Sequence, residues 1–472
     1  MRFKSWAAVL IAALMLTTGL IIVGCGSSNP STQLQAATTT ITVSDPATCG
    51  STTGGPFSHV YVTVTDVLIN SSSTAGDNDS SWLDLTPALK SSPQQIDLLG
   101  QTSNQCFLAT LGSTSQLQPG SYQQIRIVLA ANNAAEVSGD KCNGSANCVV
   151  LSSDNSVHPL LLSSEAKTGL KIPSGQIASG KFIVVAGQTK DLNIDFDTCA
   201  SIVTQGNGQY RLKPALHAGE VSTTSASING KLVDKAMGQP IVGGKAIVAL
   251  EQKDSAGVDR VVMQSTPDAS GGFVFCPVPA GSYDVVAVAV NGANVEYAAT
   301  ITTGVGPGDA LGNVQMFPTT GTSTGPGSIT GTITSANSVP AGTVVDLTIS
   351  ALQQVTASGG ALTVTIPLAQ QSSATATATT QGGASCATNT DCASYTLSVP
   401  GVTPSVAAFS SSGTNYRAGA SGAASYTVEA QAFVPQSGGA TDCSSPVQAT
   451  AAVSVTPGQS VQAATLAFSG CQ

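Results

Sequence analysis

The run His59-Val60-Tyr61-Val62-Thr63-Val64-Thr65 sets valine against polar or amphipathic residues with a strict period of two, and similar alternation recurs down the chain. Only an extended strand sends successive side chains to opposite faces, so the run predicts a strand with one buried side. Val60, Val62 and Val64 share that side, and Tyr61, Thr63 and Thr65 the other. The phase breaks at Asp66-Val67, where one extra residue in a β-bulge restores it. Further along, Ile125, Ile127 and Leu129 face inward with Gln124, Arg126 and Val128 opposite, and Leu192, Ile194 and Phe196 form a third apolar set. No long stretch keeps a 3.6-residue apolar stripe, so the expected fold class is all-β.

A chain of 472 residues is too long for one core and, at about 150 residues per domain, suggests three. The expected order is a β-rich domain at 41–222, a β-sandwich at 226–318, a Gly/Thr/Pro linker at 319–327 and a sandwich-like domain at 328–472. In the first, Gly206-Asn207-Gly208 has the residue types of a tight hairpin turn. In the second, Gly238-Gln239-Pro240 and Pro279-Ala280-Gly281 read as turns, Asp268–Gly272 as a hairpin loop, and Phe273 and Phe275 as core. The third repeats the order of the second: "SITGTIT" answers "SINGKLV", "YTVEAQAF" answers "YDVVAVAV", and "VTPGQSVQAATLAF" answers "VGPGDALGNVQMF". The tract 372–385, "SSATATATTQGGAS", reads as a low-complexity loop.

Two resemblances follow from ordered segments. "FSHVYVTVTDVLI", "WLDLT", "QQIDLL", "LQPGSYQQIRIVL", "TGLKIPSG" and "DLNIDFD" are similar to the bacterial family known as domain of unknown function 4382, found in secreted and lipid-anchored proteins. That resemblance implies no activity. Residues 226–318 resemble the carboxypeptidase regulatory-like domains, small prealbumin-like β-sandwiches, in which a residue at the place of Asp268 belongs to the turn itself.

The N-terminus carries an address. Arg2 and Lys4 precede the 17-residue apolar run Ala7–Val23, the pattern of a secretory signal over 1–24. Ile22-Val23-Gly24-Cys25 resembles the bacterial lipobox, which implies lipidation of Cys25 and a membrane partner reached through that lipid. Residues 25–40 then read as a tether, small and polar. Gly26 after the cysteine favours the outer membrane under enteric-type sorting. Each buried methylene of an acyl chain contributes about 0.8 kcal/mol, so several chains anchor a soluble body without a spanning helix.

Ten of the 11 cysteines remain beyond Cys25, an even number for an oxidising compartment. The expected disulfides are Cys142–Cys148 and Cys386–Cys392, each closing a short loop, and Cys443–Cys471. Cys49, Cys106, Cys199 and Cys276 stay open between a bridge across domains and free thiols. Charged residues make up 9% of the chain, and losing Arg2 and Lys4 takes the net charge from -9 to -11. No basic stripe exists, so a nucleic-acid partner is not expected.

Chemistry-bearing motifs are sparse. The cysteines lack zinc-cluster spacing and no phosphate loop occurs; the string Gly321-Thr322-Ser323-Thr324-Gly325 falls in the expected linker rather than at a strand-to-helix turn, so no nucleophile elbow is expected. His59 reads as a strand-start residue and His158, before Pro159, as a turn residue. His217-Ala218-Gly219-Glu220 has the H-x-x-E spacing of a zinc site, but positions i and i+3 of a strand face opposite sides. Asp195 and Asp197 share one strand face and read as solvated, with calcium binding or acid–base work as the functional alternative. Asp77 and Asp79 read as a polar turn, and Trp82 as core packing or, alternatively, a ligand platform. No cofactor, metal site or catalytic residue is expected. The sequence therefore points to a lipid-anchored envelope protein with a binding or spacer role toward a glycan or an envelope protein. The alternatives are a polysaccharide or peptide hydrolase using Asp195, Asp197 and His217, and a component of a transport or secretion complex.

Overall fold

The computed structural model describes residues 36–471 apart from 46–55, 77, 101–108, 134–138, 163–168, 206–207, 214, 222–226, 242–243, 322–323, 337–344, 372, 381, 383–385 and 435–442. The expectations for the signal, the lipidated Cys25, most of the tether, Asp77, Cys49 and Cys106 lie outside the described residues. Residues 36–472 form one compact unit built almost wholly of strands. Among the described residues, no helix is long and apolar enough to cross a membrane.

In the first module, a four-stranded sheet runs in the order Leu216–Val221, Thr189–Phe196, Ala37–Ser44, Ala109–Leu117. It shares a core with a second sheet centred on the strand Phe57–Asn70. That strand buries Val60, Val62 and Val64, then Val67 and Ile69, and its pairing with Gln124–Leu129 slips between Val64 and Asp66. The bulge thus sits where the phase of the sequence breaks. Ile202–Thr204 and Tyr210–Leu212 form the expected hairpin. His158 differs from expectation: it lies inside the strand Val157–Leu162, paired with Val149, because Pro159 fits where that strand runs without needing its own N–H.

The second module packs the three strands Gly272–Phe275, Ile228–Asp234 and Ala310–Met316 against Thr300–Val305, Tyr283–Val290, Lys245–Lys253 and Val258–Ser265. Phe273 and Phe275 meet edge to face in its core, with ring centroids 5.8 Å apart. Asp268 serves the turn: its Oδ1 accepts from the backbone N–H groups of Ser270 and Gly272 and from the Ser270 hydroxyl.

The four-stranded group continues into the third module as part of an eleven-stranded sheet. At one edge Val258–Ser265 pairs in parallel with Gly360–Thr365, and at the other Thr300–Val305 pairs in parallel with Ser405–Ala408. Strands of the third module thus complete both edges of the second module's larger sheet. Faces are shared as well. Val285, Ala287 and Ala289 enter the second module's core, while Val286 and Val288 join the core containing Ile329, Leu347 and Tyr426 of the third.

The repeat seen in sequence is a repeat of architecture. Ile228–Asp234 pairs in parallel with Ala310–Met316, and Gly327–Ala336 pairs in parallel with Ser460–Gln462 and Leu466–Phe468. Gly230 and Gly331, at matching positions, each lie opposite an aromatic residue, Phe273 and Tyr395. A Cβ would come within 2.7 Å of the Phe273 ring at the first and 2.2 Å of the Tyr395 hydroxyl oxygen at the second. Glycine leaves room for the neighbouring ring to lie across the backbone.

Two segments depart from their expected character. Residues 319–327 were expected as a linker with nothing to bury, yet Thr319 is buried, its N–H donates to Glu296 O, and Glu296 N–H donates to Thr324 O. The tract 372–385 contains the strand Ala376–Thr379, antiparallel to Asp346–Ala357. Its Ala/Thr alternation suits a pleated strand despite its low complexity. Disulfides join Cys142 to Cys148, Cys386 to Cys392 and Cys443 to Cys471. Cys276 is also disulfide-bonded, and Cys199 lies in the helical turn Thr198–Ser201.

Fragment 226–318, cut from the third module, exposes two sheet edges and one apolar face. It is expected to show no cooperative urea transition, whereas fragment 226–472 shows one by circular dichroism. Cooperative unfolding of the shorter fragment would contradict the shared sheet.

Candidate functional site

Strands Ala37–Ser44 and Thr189–Phe196 run parallel with Thr42 beside Asn193 and Ser44 beside Asp195, and Leu216–Val221 sets His217 opposite Asp195. One face of this sheet supplies Ile41, Val43, Leu192, Ile194 and Phe196 to the core. The other is polar, and Thr42, Ser44, Asn193 and Asp195 on it are all buried. The expected solvated face for Asp195 and Asp197 is therefore wrong: they are 5% and 8% exposed. The second module covers this side of the strand, which a single strand's pattern does not record.

Burial demands partners for these groups. Thr42 Oγ1 donates to Asn193 Oδ1 at 3.0 Å, Asn193 Nδ2 to Ser44 Oγ at 2.8 Å, and Ser44 Oγ to Asp195 Oδ1 at 2.7 Å. This relay ends at Asp195 Oδ2, which finds no partner among the described residues, as does Nδ1 of half-buried His217. Both residues line a cavity of about 30 Å³ between the first and second modules, closed by Gln252, Met263, Pro279 and Tyr283. Gly219 permits that closure, since a Cβ there would lie 2.6 Å from the Pro279 Cβ. Glycine in "HAGE" thus answers to close packing. Glu220 of the same motif pairs with Lys190, away from His217.

Asp197 is committed to structure. Its Oδ1 caps the turn Thr198–Ser201 by accepting from Ala200 N–H, and it also accepts from Gln264 Nε2 of the second module. Asp45, buried beside it, accepts from the Thr198 hydroxyl. Arg211 reaches the third module, its Nη1 lying 2.9 Å from Oδ2 of fully buried Asp346.

Burial sets the ionisation of the cluster. It pushes Asp195 up to about 8, with the Asp197 charge adding to it and the Ser44 bond opposing it. Asp45 is raised well above the usual carboxylate range by burial and by its acidic neighbours. Burial lowers His217 to about 4 and pulls Lys213 down to about 8 against the attraction of Asp346 and Asp197. At neutral pH the pair is a neutral acid beside a neutral imidazole. A cavity of about 30 Å³ holds one or two waters. It has no room for a sugar ring or a peptide.

The remaining singled-out residues lie elsewhere. Asp79 takes the N–H and hydroxyl of Ser81 in a polar turn. Half-buried Trp82 donates through Nε1 to Gly76 O, and the Arg126 guanidinium covers its ring at 4.1 Å, so packing accounts for it. Of the leucines beside it, Leu85 is buried and Leu83 is exposed. His158 bonds Ser156 and contacts Tyr210 edge-on. Half-exposed His59 pairs with Asp97 through Nδ1 at 2.7 Å, a constellation the sequence reading missed because the two lie 38 residues apart. Among the described residues, no group of three or more His, Cys, Asp or Glu side chains is arranged to hold a metal ion.

Residues 36–214 match the family model described as "Domain of unknown function (DUF4382)". No curated protein matches the chain. Among solved structures, the Bacillus anthracis TIE protein is similar at 10% identity and a TM-score of 0.15, over 92% of this chain and 51% of that one. The chain thus spans about half the length of that relative. A DUF3823 family protein from Bacteroides uniformis matches at 12% identity and 0.16, covering 49% of this chain and all but 1% of its own. The shaft pilin SpaA from Lactobacillus rhamnosus GG matches at 11% and 0.19, over 61% of this chain and 99% of its own. Likenesses this weak carry no argument about what this chain does.

Asp195 takes up a proton on folding, so its stabilisation is whole below the unfolded carboxylate value near 3.8 and is lost as pH rises toward 8. His217 acts in reverse: its contribution is whole above 6.5 and is lost as pH falls toward 4. The urea midpoint is expected to fall between pH 5 and 8, most steeply above 6.5. Asp195→Asn, which mimics the neutral acid, is expected to flatten that slope by about 1.4 kcal/mol per pH unit. An unchanged slope would contradict the assignment. Gly219→Val, which drives a side chain into Pro279, is expected to destabilise by about 1–3 kcal/mol in the same assay.

Proposed function

We propose that the chain is an exported bacterial envelope protein, anchored by lipid on Cys25, whose interlocked β body presents a recognition surface and performs no chemistry of its own. The observation that carries this reading is the completion of both edges of the second module's sheet by strands of the third. Buried polar bonds tie the first module to both. A body locked at these joints suits holding a surface at a fixed place better than cycling through open and closed states. The signal-like N-terminus with its Gly24-Cys25 junction, the small polar residues after it and the disulfides support export and anchoring. Gly26 favours the outer membrane. In this reading the second module is an accessory sandwich of carboxypeptidase regulatory-like type, supported by its Asp268 turn and paired Phe273 and Phe275.

The hydrolase alternative finds little support at Asp195, Asp197 and His217. Asp197 is spent on a helix cap and on Gln264, and Asp195 and His217 face only water-sized space.

Expression in a lipoprotein-processing bacterium is expected to yield a mature N-terminus at Cys25 carrying the mass of a diacylglyceryl group, while Cys25→Ser leaves the protein out of the membrane fraction. An unmodified Cys25, or retention of Met1, would defeat the anchoring part of the proposal.

A further inference from the structure

The first module carries a second, larger cleft on the side of the strand Phe57–Asn70 where the strand Gln94–Asp97 pairs with it. Its volume is about 530 Å³, within the range of roughly 300–1,000 Å³ typical of ligand sites. Tyr61, Ser92, Gln94, Asp97 and Lys141 line it. The register sets Tyr61 beside Asp97 and Thr63 beside Gln95, while Ile96 between them turns into the core.

Gly139 and Lys141, which line the cleft, lead into the loop closed by Cys142–Cys148. Asp140 holds its turn by accepting from the N–H groups of Cys142 at 2.7 Å and Gly144 at 2.6 Å. Gln95 braces the loop against the floor: its Oε1 accepts from Lys141 N–H at 3.0 Å, and its Nε2 donates to Ala146 O at 3.3 Å. These bonds place Lys141 and hold the cleft open. Asp97 is fixed too, with Oδ1 accepting from Val60 N–H at 3.2 Å and Leu99 N–H at 3.1 Å and Oδ2 bonded to His59. His59 in turn stacks on Tyr61, centroids 5.5 Å apart and planes within 17°. The phenol is thereby backed and its partners are preorganised, which lowers the entropic cost of binding.

We propose that this cleft binds a neutral saccharide. A sugar hydroxyl both donates and accepts, and the lining offers a carboxylate acceptor, an ammonium donor, and amide and hydroxyl groups that do both. An aromatic ring with a polar tip suits a ligand whose faces carry C–H groups and whose edges carry hydroxyls. One lysine offset by one carboxylate in the lining, on a mature chain of net charge -9 less the two cations of the leader, or -11, disfavours polyanions. The inference rests on the proposed export only for where the glycan is met.

The test is titration calorimetry of the mature chain carrying Cys25→Ser against neutral gluco-, manno- and galacto-oligosaccharides, with alginate and heparin as acidic probes. At least one neutral series is expected to bind, and Tyr61→Ala to weaken it about tenfold or more with an unchanged thermal transition. Asp97→Asn is expected to weaken it as well, and Lys141→Gln to change it less than about threefold. Three outcomes would overturn the site: no neutral oligosaccharide bound at millimolar concentration, wild-type affinity in Tyr61→Ala, or binding confined to the acidic probes and abolished by Lys141→Gln. A lipid-free N-terminus alongside saccharide binding would sink only the anchor, and a lipidated N-terminus without binding only the cleft.

Discussion

Gln264 sits where three modules meet, and its amide is satisfied only when all three are in place. From the second module its Nε2 donates to Asp197 of the first, and its Oε1 accepts from Ala374 N–H of the third at 2.7 Å. The residue is 2% exposed, so separating any module would strand a buried polar group. Charged bridges lie on the same joints: Arg211 to Asp346 between the first and third modules, and Arg260 to Glu429 between the second and third. Removing Arg211 costs about 3–5 kcal/mol, because the fully buried Asp346 is left uncompensated. The joints are polar, and they favour one relative placement of the modules over the alternatives a greasy surface would tolerate.

Sheet completion supplies the apolar half of that constraint. Tyr283–Val290 is buried on both faces, one in the second module's own core and the other against the third. The run "YDVVAVAV" is accordingly apolar at nearly every position, as expected of a doubly covered strand. The paired glycine–aromatic contacts, Gly230 with Phe273 and Gly331 with Tyr395, show one plan used twice and then fused edge to edge.

Much of the strand architecture was legible because it is local. The alternation of Val60, Val62 and Val64 and its break at Asp66, the Asp268 turn and the short cysteine loops all act over a few residues. The joints were not. Parallel pairing of Val258–Ser265 with Gly360–Thr365 joins segments about a hundred residues apart with no turn to announce it. Polarity misled in the same way at Asp195 and Asp197, where alternation named the faces correctly but gave no sign that a second module covers the polar one. His59 and Asp97 escaped notice for want of sequence proximity.

A body held in this way presents its surface clefts in fixed relation to one another, which suits the proposed recognition role. The central claim is that the second and third modules behave as one cooperative unit, and hydrogen–deuterium exchange of the intact chain reads it directly. Amides of Thr300–Val305 and Val258–Ser265 are predicted to exchange in the same slow class as those of Asp346–Ala357 and Ala424–Phe433. Separate classes, with the second module's edge strands exchanging freely while the third module's sheet stays protected, would contradict it.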